Sequence, residues 1–176
     1  MQPYSLSQSQ KDHIIQQTRH YIRLASEQLQ LDLAEIPVKF DLRGRASGMF
    51  VVNHQGCHIR YNEAIFSAYF DDAVVNTVAH EVAHYVVYSR WGARRVKPHG
   101  REWRQVMSLF QLKAEVTSQY DLSQLPVRRQ KRYEYVCGCR SHQLSTTRHN
   151  RLLRQQTVYY CRQCGQSLTR IFHKNA

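Results

Sequence analysis

Apolar and polar positions along the chain fall into a helical start, a hairpin region, a long central helix and a strand-rich end. Ile14, Ile15, Tyr21, Ile22, Ala25 and Leu29 recur at helical spacing. That stripe predicts a helix capped at Ser7 or Ser9 and running to about Gln30. After Pro37 come three short strand-like runs, residues 38–42, 49–53 and 57–61, punctuated by Gly44, Gly48 and Gly56. Runs this short with glycines between them predict a small antiparallel sheet of hairpins. Residues 62–69 read as a short helix or turn. Asp71 and Asp72 stand where an N-cap and a negative first turn belong, and the helix they open reaches about Arg90, before Gly92. Val75, Val78, Ala79, Val82 and Val86 share one side of it, the expected core face. Pro98 and Gly100 break the pattern, and residues 102–112 read as a third main helix. Beyond Pro126, strands are expected around residues 133–137, 143–147 and 157–161. The fold class is α+β, with one domain over residues 1–125 and a small module over residues 126–176. A shift in composition marks that boundary, and no flexible linker does.

Charge changes the picture of the module. The 42% hydrophobic and 22% charged residues are ordinary for a soluble globular protein, and no apolar run approaches the roughly 20 residues of a membrane helix. No membrane partner is therefore expected. The opening MQPYSLSQSQKDH has neither a basic start nor an apolar stretch, so the expected compartment is the cytoplasm. The net charge of +12 is one-sided. Up to residue 125, 14 basic residues face 12 acidic ones; beyond it, 11 face a single acid, Glu134. Such a module repels itself, and a polyanion relieves the repulsion. Tyr133, Tyr135, Tyr159, Tyr160 and Phe172 interleave with the arginines, so rings are available to stack on bases while guanidinium groups hold phosphates. DNA or another nucleic acid is the expected partner, met by Arg128, Arg129, Lys131, Arg132, Arg148, Arg151 and Arg154. With no base-reading motif present, binding is expected to follow shape and charge.

The central helix carries His80-Glu81-Val82-Ala83-His84, an HExxH pattern. Residues four apart lie about 40° apart around an α-helix, so both imidazoles project from one side and can meet one Zn²⁺. Glu81 is poorly placed to share that ion. It is placed instead to take a proton from a water the ion activates and to return it to a leaving amine. A catalytic zinc needs a third protein ligand and an open fourth position. The HExxHxxGxxH continuation is absent, because Val87 and Arg90 occupy its last two fixed positions. The favoured third ligand is His99, set between Pro98, which fixes the approach, and Gly100, which allows a tight turn. Glu102 is the competitor, and otherwise serves the first turn of the third helix. His13, His20, His54, His58, His149 and His173 are read as surface or packing residues.

Four of the five cysteines lie in the basic module. Cys161-Arg-Gln-Cys164-Gly165 is a C-x₂-C half-site with glycine following, which lets backbone N–H groups approach the thiolates. Cys137-Gly138-Cys139 is a tighter C-x-C, and His142 makes a C-x₂-H with Cys139. Close pairs in a reducing compartment favour metal over disulfides. The first-choice ligand set is Cys137, Cys139, Cys161 and Cys164; the alternative replaces Cys137 or Cys139 by His142. This second zinc is structural, since so short a segment lacks the apolar residues to hold itself together. Cys57 stands alone in a strand-like run and reads as a small buried residue.

HEVAH, HGREW beginning 15 residues after its second histidine, YVCGC and CRQCG together resemble the bacterial SprT family and, more distantly, the Spartan proteases that degrade DNA–protein crosslinks. The resemblance covers essentially the whole chain. It implies a zincin-like metalloprotease core with zinc at His80, His84 and His99, Glu81 as catalytic base, and a C-terminal zinc ribbon. The function expected is zinc-dependent peptide-bond hydrolysis on a protein or peptide substrate, with the ribbon docked on DNA or nucleoprotein. An extended substrate is expected along an edge strand, residues 49–53. The competing expectation is a non-catalytic zinc protein that binds nucleic acid or regulates.

Overall fold

In the computed structural model, residues 4–92, 96–126 and 131–171 are described. Arg128, Arg129, Phe172 and His173 lie outside them. The chain forms two compact units, Met1–Arg128 and Arg129–Ala176.

In the first unit, helix α1 spans Gln8–Leu29. Its start is fixed by a capping box: the Ser7 hydroxyl accepts from the Gln10 N–H at 3.2 Å, and the Ser7 N–H donates to Gln10 Oε1 at 2.9 Å. Ile14, Tyr21, Ile22 and Ala25 are buried along the expected stripe. The following sheet has the order β1 (Val38–Lys39), β3 (Gly56–Tyr61), β2 (Gly48–Asn53). β2 and β3 form the expected hairpin, but β1 runs parallel to β3, with Val38 opposite Ile59, so the sheet is mixed. The cause is the connection over residues 40–47, which carries the chain past the end of β3 to its far side. Asn62 holds that connection by donating from Nδ2 to the carbonyls of Gly44 and Ala46 at 2.9 and 3.1 Å. β2 is thereby left at one edge of the sheet.

Helix α2, Glu63–Ala68, leads into α3, Phe70–Asp72, then a π-helical turn, Ala73–Thr77, and α4, Val78–Trp91. Asp71 and Asp72 sit inside the first turn and do not cap it; Asp72 instead accepts from Asn76 Nδ2 at 2.8 Å and from the Tyr120 hydroxyl. The π turn, in which the Val78 N–H reaches back to the Ala73 carbonyl, adds a residue to the spiral. Val75, expected on the core face, is consequently 39% exposed, whereas Val78, Ala79, Val82 and Val86 are fully buried. Ala83, Tyr85 and Val87 are buried too, so α4 is a central helix covered on most sides, with α1, α5 and β2 packed on it. Helix α5, Arg101–Leu109, buries Trp103, Val106 and Met107 against α4.

The second unit is a sheet ordered β5 (Ser141–Ser145), β4 (Arg132–Val136), β6 (Thr169–Arg170), antiparallel throughout. Where the third strand was expected, residues 157–161, only Tyr160 makes a bridge, to Ser167; the regular partner of β4 lies later. Residues 146–153 form a helix, α6 (Thr146–Leu153), opened by Ser145. Among the described residues its hydrophobic core is four buried residues, Tyr135, Leu144, Cys161 and Leu168. So small a core does not hold a fold on apolar burial alone. Across the described residues no helix is long and apolar enough to cross a membrane.

Candidate metal centres

The covered position of α4 decides the character of the first site. His80 and His84, one turn apart, point the same way, and His99 reaches them from the turn before α5. The three Nε2 atoms form a near-equilateral triangle: 3.1 Å from His80 to His84, and 3.0 Å from His99 to each. The turn has an unexpected construction. His99 itself adopts a left-handed backbone, φ 56°, while Gly100 does not. A non-glycine residue held there stores strain that the surroundings must support. Gly100 is needed for a different reason: its N–H donates to the Lys97 carbonyl at 2.9 Å, and a Cβ would stand 2.8 Å from that oxygen.

Trp103 backs the triangle. Its ring centroid lies 4.8, 5.8 and 4.8 Å from those of His80, His84 and His99, it is 1% exposed, and its Nε1–H points at the His80 carbonyl, 3.4 Å away. The backbone carbonyl of Glu115 accepts from the His80 ring. Neither residue was given a site role from sequence, although HGREW places Trp103 four residues after His99, one helical turn on. Among the described residues the clustered donors here are His80, His84 and His99; Glu102 stays in the first turn of α5.

Burial, with the charge of His99 added, pushes the His80 imidazole down to about 4; burial and the other two rings push His84 down to about 3. Burial also lowers His99. All three are neutral near pH 7, so three lone pairs converge at a separation where they repel one another unless a cation sits among them. Three imidazoles in this arrangement fit zinc.

Glu81 lies on the other side of His80, 7% exposed, and its Oε2 accepts the Phe50 N–H of β2 at 2.7 Å. Burial raises its carboxyl to about 7, against the opposing pull of that N–H. A carboxylate with this affinity can both take and return a proton at neutral pH. A cavity of about 700 Å³ reaches His80 and Glu81; Arg45, Gly48, Asp72 and Thr77 line it, with residues 115–120 along one wall.

The second centre is in the ribbon unit. The sulfurs of Cys137, Cys139, Cys161 and Cys164 all lie within 4.8 Å of one another. The Cys137–Cys139 and Cys139–Cys161 separations are 3.4 and 3.7 Å. The tight C-x-C bite is made over Gly138, whose N–H donates to Gln166 Oε1 at 2.7 Å and whose absent Cβ leaves room for that side chain. On the other half, Gly165 has φ 71°, and the N–H that approaches the Cys161 sulfur, at 3.4 Å, is that of Gln163. Backbone N–H groups of Cys164 and Gln163 hold the Cys161 thiol down to about 7. His142 stands outside the four sulfurs, with Nε2 3.2 Å from Cys137 Sγ. Four thiolates with N–H donors around them fit a closed zinc site. Cys57 belongs to neither cluster; it packs on the main core and burial raises its thiol.

Most of the ribbon's rings are committed to its own packing. Tyr135 is buried with its hydroxyl 2.9 Å from His149 Nδ1; Tyr133 stacks on His149 at 3.5 Å and carries Lys131 on its ring; Arg148 lies over Tyr159. Among the described residues Tyr160 is the exception, 64% exposed.

The SprT-like family profile matches residues 12–131, and that of the SprT-like zinc ribbon domain matches residues 131–171. Protein SprT of Yersinia pestis is 35% identical over 167 residues, 94% of this chain and 92% of the relative. Protein SprT of Serratia proteamaculans is 35% identical over 151 residues, 85% of each chain. Protein SprT of Actinobacillus succinogenes is 39% identical over 128 residues, 72% of this chain and 71% of the relative. No solved structure matches.

Proposed function

The chain belongs to the SprT-like family and carries that family's zinc ribbon, and from this premise we propose that it is a zinc-dependent metallopeptidase with a zincin-like core, acting in the cytoplasm on proteins bound or crosslinked to DNA. The observation that carries the reading is the triangle of neutral imidazoles, 3.0–3.1 Å on a side, with a buried carboxylate one residue from its first corner.

His80, His84 and His99 hold the ion, with Trp103 behind them. Bound there, zinc supplies Lewis-acid polarisation of a carbonyl and lowers the pKa of water toward about 7. Glu81 takes the proton of the attacking water and delivers it to the leaving amine. Its affinity of about 7 lets it serve in both steps. An extended peptide lies along β2: that strand is the sheet edge, Met49 and Val52 on it are 42% and 43% exposed, and its Phe50 touches Glu81. Cys137, Cys139, Cys161 and Cys164 hold a structural zinc. Arg148 and Arg151 on α6 and Arg154 at its C-cap, all exposed, then meet phosphates.

The test is Glu81→Gln. Cleavage of a protein substrate should vanish while both zinc equivalents remain bound. Cleavage equal to wild type refutes the mechanism and favours a zinc protein without catalysis.

A further inference from the structure

Gly48 opens β2, and nothing in its backbone conformation demands glycine, because its φ is not left-handed. What demands it is proximity. A Cβ built there would lie 2.6 Å from Glu81 Cγ, 2.8 Å from Glu81 Oε1 and 2.9 Å from Thr77 Cγ2. Two positions on, the Phe50 N–H donates to the other oxygen, Oε2, at 2.7 Å. That N–H points away from β3, so no ladder bond uses it. One strand therefore touches both oxygens of the same carboxylate, through an absent side chain at one and a backbone donor at the other. The strand is itself anchored. Ser47 and Thr77 meet through their hydroxyls at 3.2 Å, and the Phe50 ring lies 5.8 and 5.7 Å from those of Tyr85 and Tyr88 on α4.

We propose that the start of β2 is the positioning element for Glu81: the Phe50 amide fixes Oε2, and the bare backbone at Gly48 admits the side chain so that Oε1 is the oxygen left to exchange the proton. The inference rests on Glu81 being the base. It assigns Gly48 and Phe50 as positioning residues, acting through Glu81. It also gives the edge strand two tasks, aligning the substrate and aligning the group that reacts with it.

Gly48→Ala is the first test. Restoring an ordinary 3.4 Å contact moves Glu81 Cγ by about 0.8 Å. Misplacement of about 1 Å costs on the order of 100-fold in rate. kcat should fall by that order with KM within about twofold and zinc content unchanged. A purely structural role would lower the melting temperature or lose metal without this split. The second test compares Phe50→Pro with Phe50→Ala. Both lose the ring, but only proline loses the N–H; it breaks no ladder bond, yet its Cδ takes the hydrogen's place on a nitrogen 2.7 Å from Oε2 and pushes the carboxylate aside. Phe50→Pro should have the lower kcat of the two by at least about tenfold, a lost charge-assisted hydrogen bond with the displacement of Glu81 added. A readout independent of turnover is the Phe50 amide proton by NMR: downfield in wild type, and shifted upfield in Gly48→Ala as in Glu81→Ala. If Gly48→Ala turns over at the wild-type rate while Glu81→Gln is inactive, the positioning inference is wrong and the peptidase reading stands. If Glu81→Gln itself is fully active, the reading fails and the inference goes with it.

Discussion

Trp103→Phe separates packing from metal holding. The indole is 1% exposed and lies against all three imidazoles, with centroids at 4.8, 5.8 and 4.8 Å. Replacing it by phenylalanine deletes one fused ring. The void left, roughly 35 Å³, costs about 0.8 kcal/mol at about 24 cal/mol per Å³, and the lost transfer energy adds about 1, together about 2 kcal/mol of stability. The His80 carbonyl loses a donor only at 3.4 Å, which adds little. A second effect falls on the rings. Without the indole behind them, the imidazoles regain rotamer freedom that zinc binding must remove. Loss of an outer partner of this kind weakens a metal site about 10- to 100-fold. Since the contact is packing, the lower figure applies, about 1.4 kcal/mol in binding. Cobalt substitution isolates the helix site, because thiolate ligation in the ribbon adds a charge-transfer band that imidazoles lack. Cobalt titration of Trp103→Phe should show about tenfold weaker occupancy of the nitrogen site, with the ribbon unchanged. Trp91→Phe, whose ring carries Arg90, is the control and should bind as wild type. Equal affinity in Trp103→Phe and wild type, alongside the stability loss, would show that the indole is core and nothing more.

Two further outcomes follow from the same sites. In metal-free protein, His80, His84 and His99 have folded-state affinities below the usual 6.5, with His80 near 4 and His84 near 3. The unfolded chain therefore binds more protons below pH 6.5, and stability falls as pH drops from 6.5 toward 4. Glu81, raised to about 7, opposes this between 7 and 4.5, but as one group against three. The urea midpoint in chelator should fall between pH 6.5 and 4.5; a flat or rising midpoint contradicts the buried triad. In the ribbon, Cys161→Ser should lose one zinc equivalent, unfold residues 131–171 by NMR and abolish salt-dependent DNA binding, while the helix site keeps its metal. Retention of both equivalents would show that the four sulfurs are not a single site.

How much of this was readable beforehand depended on how local the cause was. The α1 stripe and its serine cap are short-range patterns, and the structure has them at Ser7 and Gln8–Leu29. The HExxH spacing is a property of one helix, so the convergence of His80 and His84 followed from its geometry. The parallel placement of β1 was not legible, because it depends on Asn62 gripping a connection some 16–18 residues earlier. The left-handed backbone at His99 was not legible: the tight turn was read from Gly100, which makes its close approach to Lys97, and nothing local marks the histidine before it as the residue with positive φ. Trp103 and Phe50 escaped because a buried aromatic and a backbone N–H carry no chemical signature in a sequence. Helix α6 was missed because its residues are polar up to Leu152 and Leu153, so no apolar stripe marks it, and Ser145 caps it from the end of a strand.

The five-residue turn at Ala73–Thr77 lets the entrance to the histidine helix absorb a change in chain length. A turn closed by an i→i+5 bond holds one residue more than an α-turn, so deleting exposed Val75 regularises the spiral and leaves Ala73, Val74 and the two imidazoles facing much as they do. The same deletion inside α4, between the two histidines, would turn His84 by about 100° about the helix axis and carry it away from His99.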